Sequence, residues 1–132
     1  EAICLLDETY MQLMNYKGFF YQAANGTKLQ SLPNMAIRLD PENSRSYIDL
    51  AMFYINAPGF AGGSIDKAIE RLKKAAQSED KFDQFDVNLW MAIAYQKKKD
   101  MDTAAHYIKR ALQIYPGNSW AQSILNDLDS SK

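Results

Sequence analysis

Six residues between Ala92 and Pro116 limit most tightly what this chain can become. Tyr95 follows Ala92 by three positions, and Ala104 follows Tyr95 by nine. Ile108, Ala111 and Pro116 come next. Spacings of three and four keep side chains on one face of a helix. Small residues stand where two helices must touch, bulky ones where they fill the gap between them. Pro116 cannot continue a helix and follows the second one. The stretch therefore predicts two antiparallel helices joined by a tight turn.

The same pattern occurs earlier in the chain. Leu50, Ala51 and Tyr54 match Met91, Ala92 and Tyr95, and Ala68, Leu72 and Ala75 match Ala104, Ile108 and Ala111. Tyr54 and Ala68 are 14 residues apart, against nine for Tyr95 and Ala104, so the earlier unit carries five extra residues. They fall in the run 57–63 (Ala-Pro-Gly-Phe-Ala-Gly-Gly), which is too rich in Pro and Gly for a regular helix. A third, degenerate unit precedes it. Gly18, Tyr21, Ala36 and Pro41 fit its pattern, but Pro33 stands where a bulky residue is expected.

The pattern predicts one all-α domain over 1–132 with about seven helices: a degenerate unit over 7–41, a unit over 44–80 with the inserted loop 57–63, a well-matched unit over 85–118 and a capping helix over 119–129. The helices are expected near 7–24, 28–39, 44–56, from Ser64 onward, 84–98, 101–115, and from about Ser119 to Leu128. Asn25-Gly26 is a helix stop. Pro33 kinks the second helix or delays its start. Ser64 caps the fourth helix, with Asp66 in its first turn. The polar stretch 78–83 leads into the fifth, and Asn118 or Ser119 caps the seventh.

Composition excludes several classes of function. Fifteen Lys and Arg against sixteen Asp and Glu leave no basic face of the kind nucleic acid requires. No apolar run approaches the roughly 20 residues that span a bilayer. The single cysteine, Cys4, rules out an internal disulfide and a Cys-rich metal site, and reads as a helix-face residue. Glu1 in place of an initiator Met is expected of a processed or shortened product.

Catalytic patterns are missing as well. The lone histidine, His106, has no HExxH partner, and no nucleophile elbow or Cys–His set is present. Gly62-Gly63 precede a helix, but the Gly-Lys-Ser/Thr ending of a phosphate loop is lacking. The acidic stretch 79–86 lacks the spacing of a calcium loop. Lys97, Lys98 and Lys99 complement a helix C-terminus. The expectation is a non-catalytic chain without cofactor or metal.

These spacings resemble the tetratricopeptide-repeat family, whose unit is a helix–turn–helix of about 34 residues. The resemblance covers about three and a half repeats, strongest over 85–118. It implies a right-handed α-solenoid acting as scaffold or adaptor in protein–protein recognition. It also implies a concave groove lined by the first helix of each unit: Arg45, Ile48, Met52, Ile55 and Asn56 in one, and Asp86, Leu89, Ile93, Gln96 and Lys97 in the next. Apolar residues at the centre of that groove suit an apolar or amphipathic peptide better than a carboxylate clamp. The same side chains could instead be covered by the chain's own first helix or by a second copy, giving a homo-oligomer. Phe60, at the tip of the Pro/Gly loop, is a further candidate contact. A narrower likeness, carried by Ala57-Pro58 and Gly62-Gly63-Ser64, is to bacterial repeat proteins that serve as accessory components of periplasmic tripartite transporters. That likeness implies contact with a solute-binding protein or a hydrophobic ligand. Cytoplasm and periplasm both stay open as compartments.

Overall fold

The computed structural model describes residues 31–131. All regular structure there is helical: α1 over 31–39, α2 Ser44–Asn56, α3 Ile65–Ala75, α4 Lys81–Lys97, α5 Met101–Ile114 and α6 Ser119–Ser130, with one 3-10 turn at Gly59–Ala61. The expected helix near 7–24, the start of the next one, Cys4 and most of the degenerate unit lie outside the described residues. Pro33 sits within helical backbone with its ring buried. No helix among the described residues is long and apolar enough to cross a membrane.

The helices start where a short polar side chain can take up free backbone N–H groups. Asn43 accepts from Ser46, Ser64 from Lys67, Asp80 from Asp83, Asp100 from Thr103 and Asn118 from Ala121. The expected start of α4 at residue 84 is three residues late. Asp80 takes the Asp83 amide at 2.9 Å, and the Asp83 carboxylate accepts from the Ser78 hydroxyl at 2.9 Å. These two bonds draw Lys81, Phe82 and Asp83 into the helix. The Pro/Gly run also holds more order than expected. The Pro58 carbonyl accepts from Ala61 at 2.9 Å and Gly63 at 3.0 Å, winding the 3-10 turn.

Each helix packs on the next, from α2 to α6, and α4 also meets α2 and α6. The core divides into two clusters around α4. Val87, Trp90, Met91 and Ala94 face α2 and α3, with Leu50, Ala51, Phe53 and Leu72. Phe85, Leu89 and Ala92 face α5 and α6, with Ile108, Ile124 and Leu128. A helix flanked on both sides loses the one-sided polarity of a surface helix.

Close approach depends on alanine. Ala51, Ala68, Ala75, Ala92, Ala104, Ala111 and Ala121 are all fully buried. Without side chains beyond Cβ, helix axes can reach the short end of the 8–10 Å range. Helix α6 buries only the stripe Ala121, Ile124 and Leu128, while Gln122, Ser123, Asn126 and Asp127 are exposed.

Candidate functional site

Helix α4 presents two opposite faces. At 100° per residue, Asp86, Leu89, Ile93, Gln96 and Lys97 fall on one side, and Gln84, Val87, Asn88 and Met91 on the other. The first is the face expected to line a groove. Of the residues expected to line that groove, Ile48, Ile55 and Leu89 are buried and belong to the core. Ile48 and Ile55 share a stripe of α2 with Ala51 and belong to one buried cluster with residues of α3 and α4. Leu89 lies in the cluster closed by α5 and α6. Met52 and Ile93 are half-buried against these clusters. Gln96 is half-buried, and Asn56 and Lys97 are exposed. The expected apolar floor is thus partly taken up by packing, and the accessible remainder of that residue set is mostly polar.

Two of the expected residues meet directly. Arg45 and Asp86 occupy equivalent positions of successive units, 41 residues apart like Leu50 and Met91. The Arg45 Nη2 lies 2.8 Å from Asp86 Oδ2 and 3.2 Å from Asp83 Oδ1. The Phe82 ring stands 5.1 Å from the guanidinium carbon. Burial works against the Arg45 cation. The hydrogen bond to Asp86 and the charges of Asp86, Asp49 and Asp83 outweigh it and raise the pKa above its ordinary value. Asp49 is fully buried. The group couples α2 to the start of α4 and carries more negative than positive charge. Sequence reasoning missed Asp83 because its role depends on the cap at Asp80.

The second face of α4 floors an open cavity of about 440 Å³, walled by α3 and α5. Ile114 gives it apolar surface above the buried Val87 and Met91, and Tyr107, stacked on Tyr95 at 5.7 Å, adds an aromatic one. Gln84, Asn88 and Gln113 contribute amides. Asn88 is held in place: its Nδ2 donates to the Gln84 carbonyl at 2.7 Å. Lys73 from α3 and Arg110 from α5 supply cations on opposite walls, and among the described residues no carboxylate lines the space. The only trace of this site in the sequence is the stripe Gln84, Val87, Asn88, Met91, with polar residues interleaved among core ones.

Elsewhere, Phe60 is 77% exposed at the loop tip. His106 is exposed and meets Tyr107 edge-on at 5.2 Å. Trp120, half-exposed on α6, stands perpendicular to Trp90 at 5.4 Å. Among the described residues, no three His, Cys, Asp or Glu side chains are grouped to hold a metal ion.

A scan against protein-family models finds no match, and a search of curated proteins finds no significant one.

Proposed function

We propose that the chain is a non-catalytic protein-interaction module, an α-solenoid of tetratricopeptide-type repeats that binds a partner protein or peptide. The observation that carries this reading is the matching closure of two successive helix pairs. The Ser64 N–H, at the cap of α3, donates to the Tyr54 carbonyl at 2.9 Å. The Asp100 N–H, at the cap of α5, donates to the Tyr95 carbonyl at 3.0 Å. Tyr54 and Tyr95 are equivalent repeat positions, and each cap precedes its packing alanine, Ala68 or Ala104, by four residues. Units that close alike and stack in series present extended surfaces, the basis of recognition in repeat proteins.

The test is affinity capture from native extract, followed by titration of the purified captured polypeptide against the full chain. Saturable binding of one polypeptide is the expected result. A chain that retains only small molecules, seen by native mass spectrometry, would overturn the adaptor reading. It would favour the second one, an accessory component of a bacterial solute or lipid uptake system. The cavity beside α4, with its apolar surface and cationic walls, is what supports that alternative. A homo-oligomer in sedimentation, with no partner captured, would instead assign the exposed apolar groups to self-association.

A further inference from the structure

We propose that the cavity walled by α3 and α5 takes an acidic amphipathic segment of the partner polypeptide, with apolar side chains against Ile114 and Tyr107 and carboxylates between Lys73 and Arg110. This rests on the adaptor reading and adds to it a location and a partner chemistry.

The cations carry the argument. Several other basic side chains are already matched by the chain's own acids: Arg45 by Asp86, Arg71 by Glu70 at 3.1 Å and Lys98 by Asp66 at 2.8 Å. The side chains of Lys73 and Arg110 make no ion pair or hydrogen bond among the described residues, yet they stand on opposite walls of one cavity that no described carboxylate lines. Two positive walls over neutral ground attract negative charge from outside the chain.

The floor selects the rest of the occupant. Half-buried Ile114 and Tyr107 offer apolar contact that a bare anion would waste, with the core residues Val87 and Met91 beneath them. The fixed Asn88 amide gives a polar anchor beside them. A trough between two helices with a third beneath receives the apolar face of an amphipathic helix, whose flanking carboxylates then reach the walls. The volume lies within the range of about 300–1,000 Å³ that holds a specific ligand, here a few side chains.

The experiment uses the full chain, isotope-labelled for nuclear magnetic resonance, and three probes. One is a helical peptide of about a dozen residues with Leu on one face and Glu on both flanks. The second has Lys in place of Glu. The third is dodecanoate. Expected is saturable binding of the Glu peptide, with shifts centred on the side-chain amides of Gln84, Asn88 and Gln113 and on the Ile114 methyls. The double variant Lys73→Glu, Arg110→Glu changes exposed side chains and should keep the wild-type circular dichroism. It should weaken the Glu peptide about tenfold or more. Lys73→Gln, Arg110→Gln serves if the reversal disturbs folding.

Equal binding of the Glu and Lys peptides, or no saturable binding of the Glu peptide, overturns the proposal. So does saturation of the same resonances by dodecanoate alone, which would make the cavity a small-amphiphile site. Shifts at Met52, Ile93 and Gln96 would also overturn it, while leaving the adaptor reading intact. Failure of the capture experiment is a separate result and bears on the adaptor reading alone.

Discussion

The α2–α3 and α4–α5 helix pairs pack through the same residues but are joined by different turns. Between Tyr95 and the cap Asp100, helix α4 ends by putting Lys99 in the left-handed region at φ 66°. The Lys99 N–H then bonds the Gln96 carbonyl and the Asp100 N–H bonds Tyr95, both at 3.0 Å. Between Tyr54 and the cap Ser64, five more residues wind the 3-10 turn, and Gly62 takes the left-handed position at φ 97°. Both routes deliver the next cap to the same tyrosine carbonyl. The insertion is absorbed because each pair is held by where its helices touch, and the chain between them needs only to return to that point. The cost is local. An added Cβ at Gly63 would lie 1.8 Å from the Ala57 carbonyl oxygen. Its counterpart before the other cap is a lysine.

That difference can be broken most forcefully at Gly63. Gly63→Ala drives a carbon into main chain that the turn itself holds, and should cost about 3 kcal/mol or more, read by chemical denaturation. A loss below about 1 kcal/mol would mean that the turn relaxes freely and does not set the geometry of the pair.

The shared packing should respond alike in both pairs. Ala51→Leu and Ala92→Leu each overpack a fully buried contact and should each cost about 1–3 kcal/mol. An unchanged melting curve for either variant would refute the repeat register.

The link between the pairs is electrostatic, and it can be tested by exchange. Arg45→Ala leaves Asp83 and Asp86 without their guanidinium and should cost about 2 kcal/mol. Arg45→Asp with Asp86→Arg should recover part of the loss from either reversal alone. An additive double variant would show that the pair is not coupled.

Smaller effects separate the two turns. Lys99→Gly removes a left-handed lysine and should stabilise by up to about 1 kcal/mol. The caps should differ in acid. The hydroxyl of Ser64 does not titrate there. Asp100 accepts from the Thr103 hydroxyl at 2.7 Å and from its amide at 3.2 Å, and these bonds hold its pKa below the ordinary value. The stabilisation it contributes is therefore present above the unfolded-state pKa and fades as pH falls through the lower folded one. Hydrogen exchange at Thr103 should accelerate relative to Lys67 as pH drops below the ordinary carboxylate range. Equal acceleration at both amides would argue against the Asp100 carboxylate as the cause.

Much of the helical scaffold was legible because its signals are local. Ser64 and Asn118 stand where a side-chain oxygen can reach an amide three residues on, and Pro116 and Gly117 stand where a helix cannot continue. Helix α2 runs over Ser44–Asn56 as its pattern indicates, and α5 ends at Ile114, one residue before the expected end. The start of α4 was misjudged because an apolar pattern does not reveal the Ser78–Asp83 bond. The site was far less legible. Ile48, Leu89, Met52 and Ile93 all read as apolar positions of first helices, yet two are buried and two only half so.

Periodicity and capping within single segments sufficed for the all-α class, the helix ends described above and the alanines at helix contacts, since each depends on neighbours a few residues away. Burial along each face, the Arg45–Asp86 pairing and the cavity between α3 and α5 were settled only when distant helices came together. A side chain's exposure and its electrostatic partners depend on which second and third helix lies against it, and a residue's place on its own helix does not specify that.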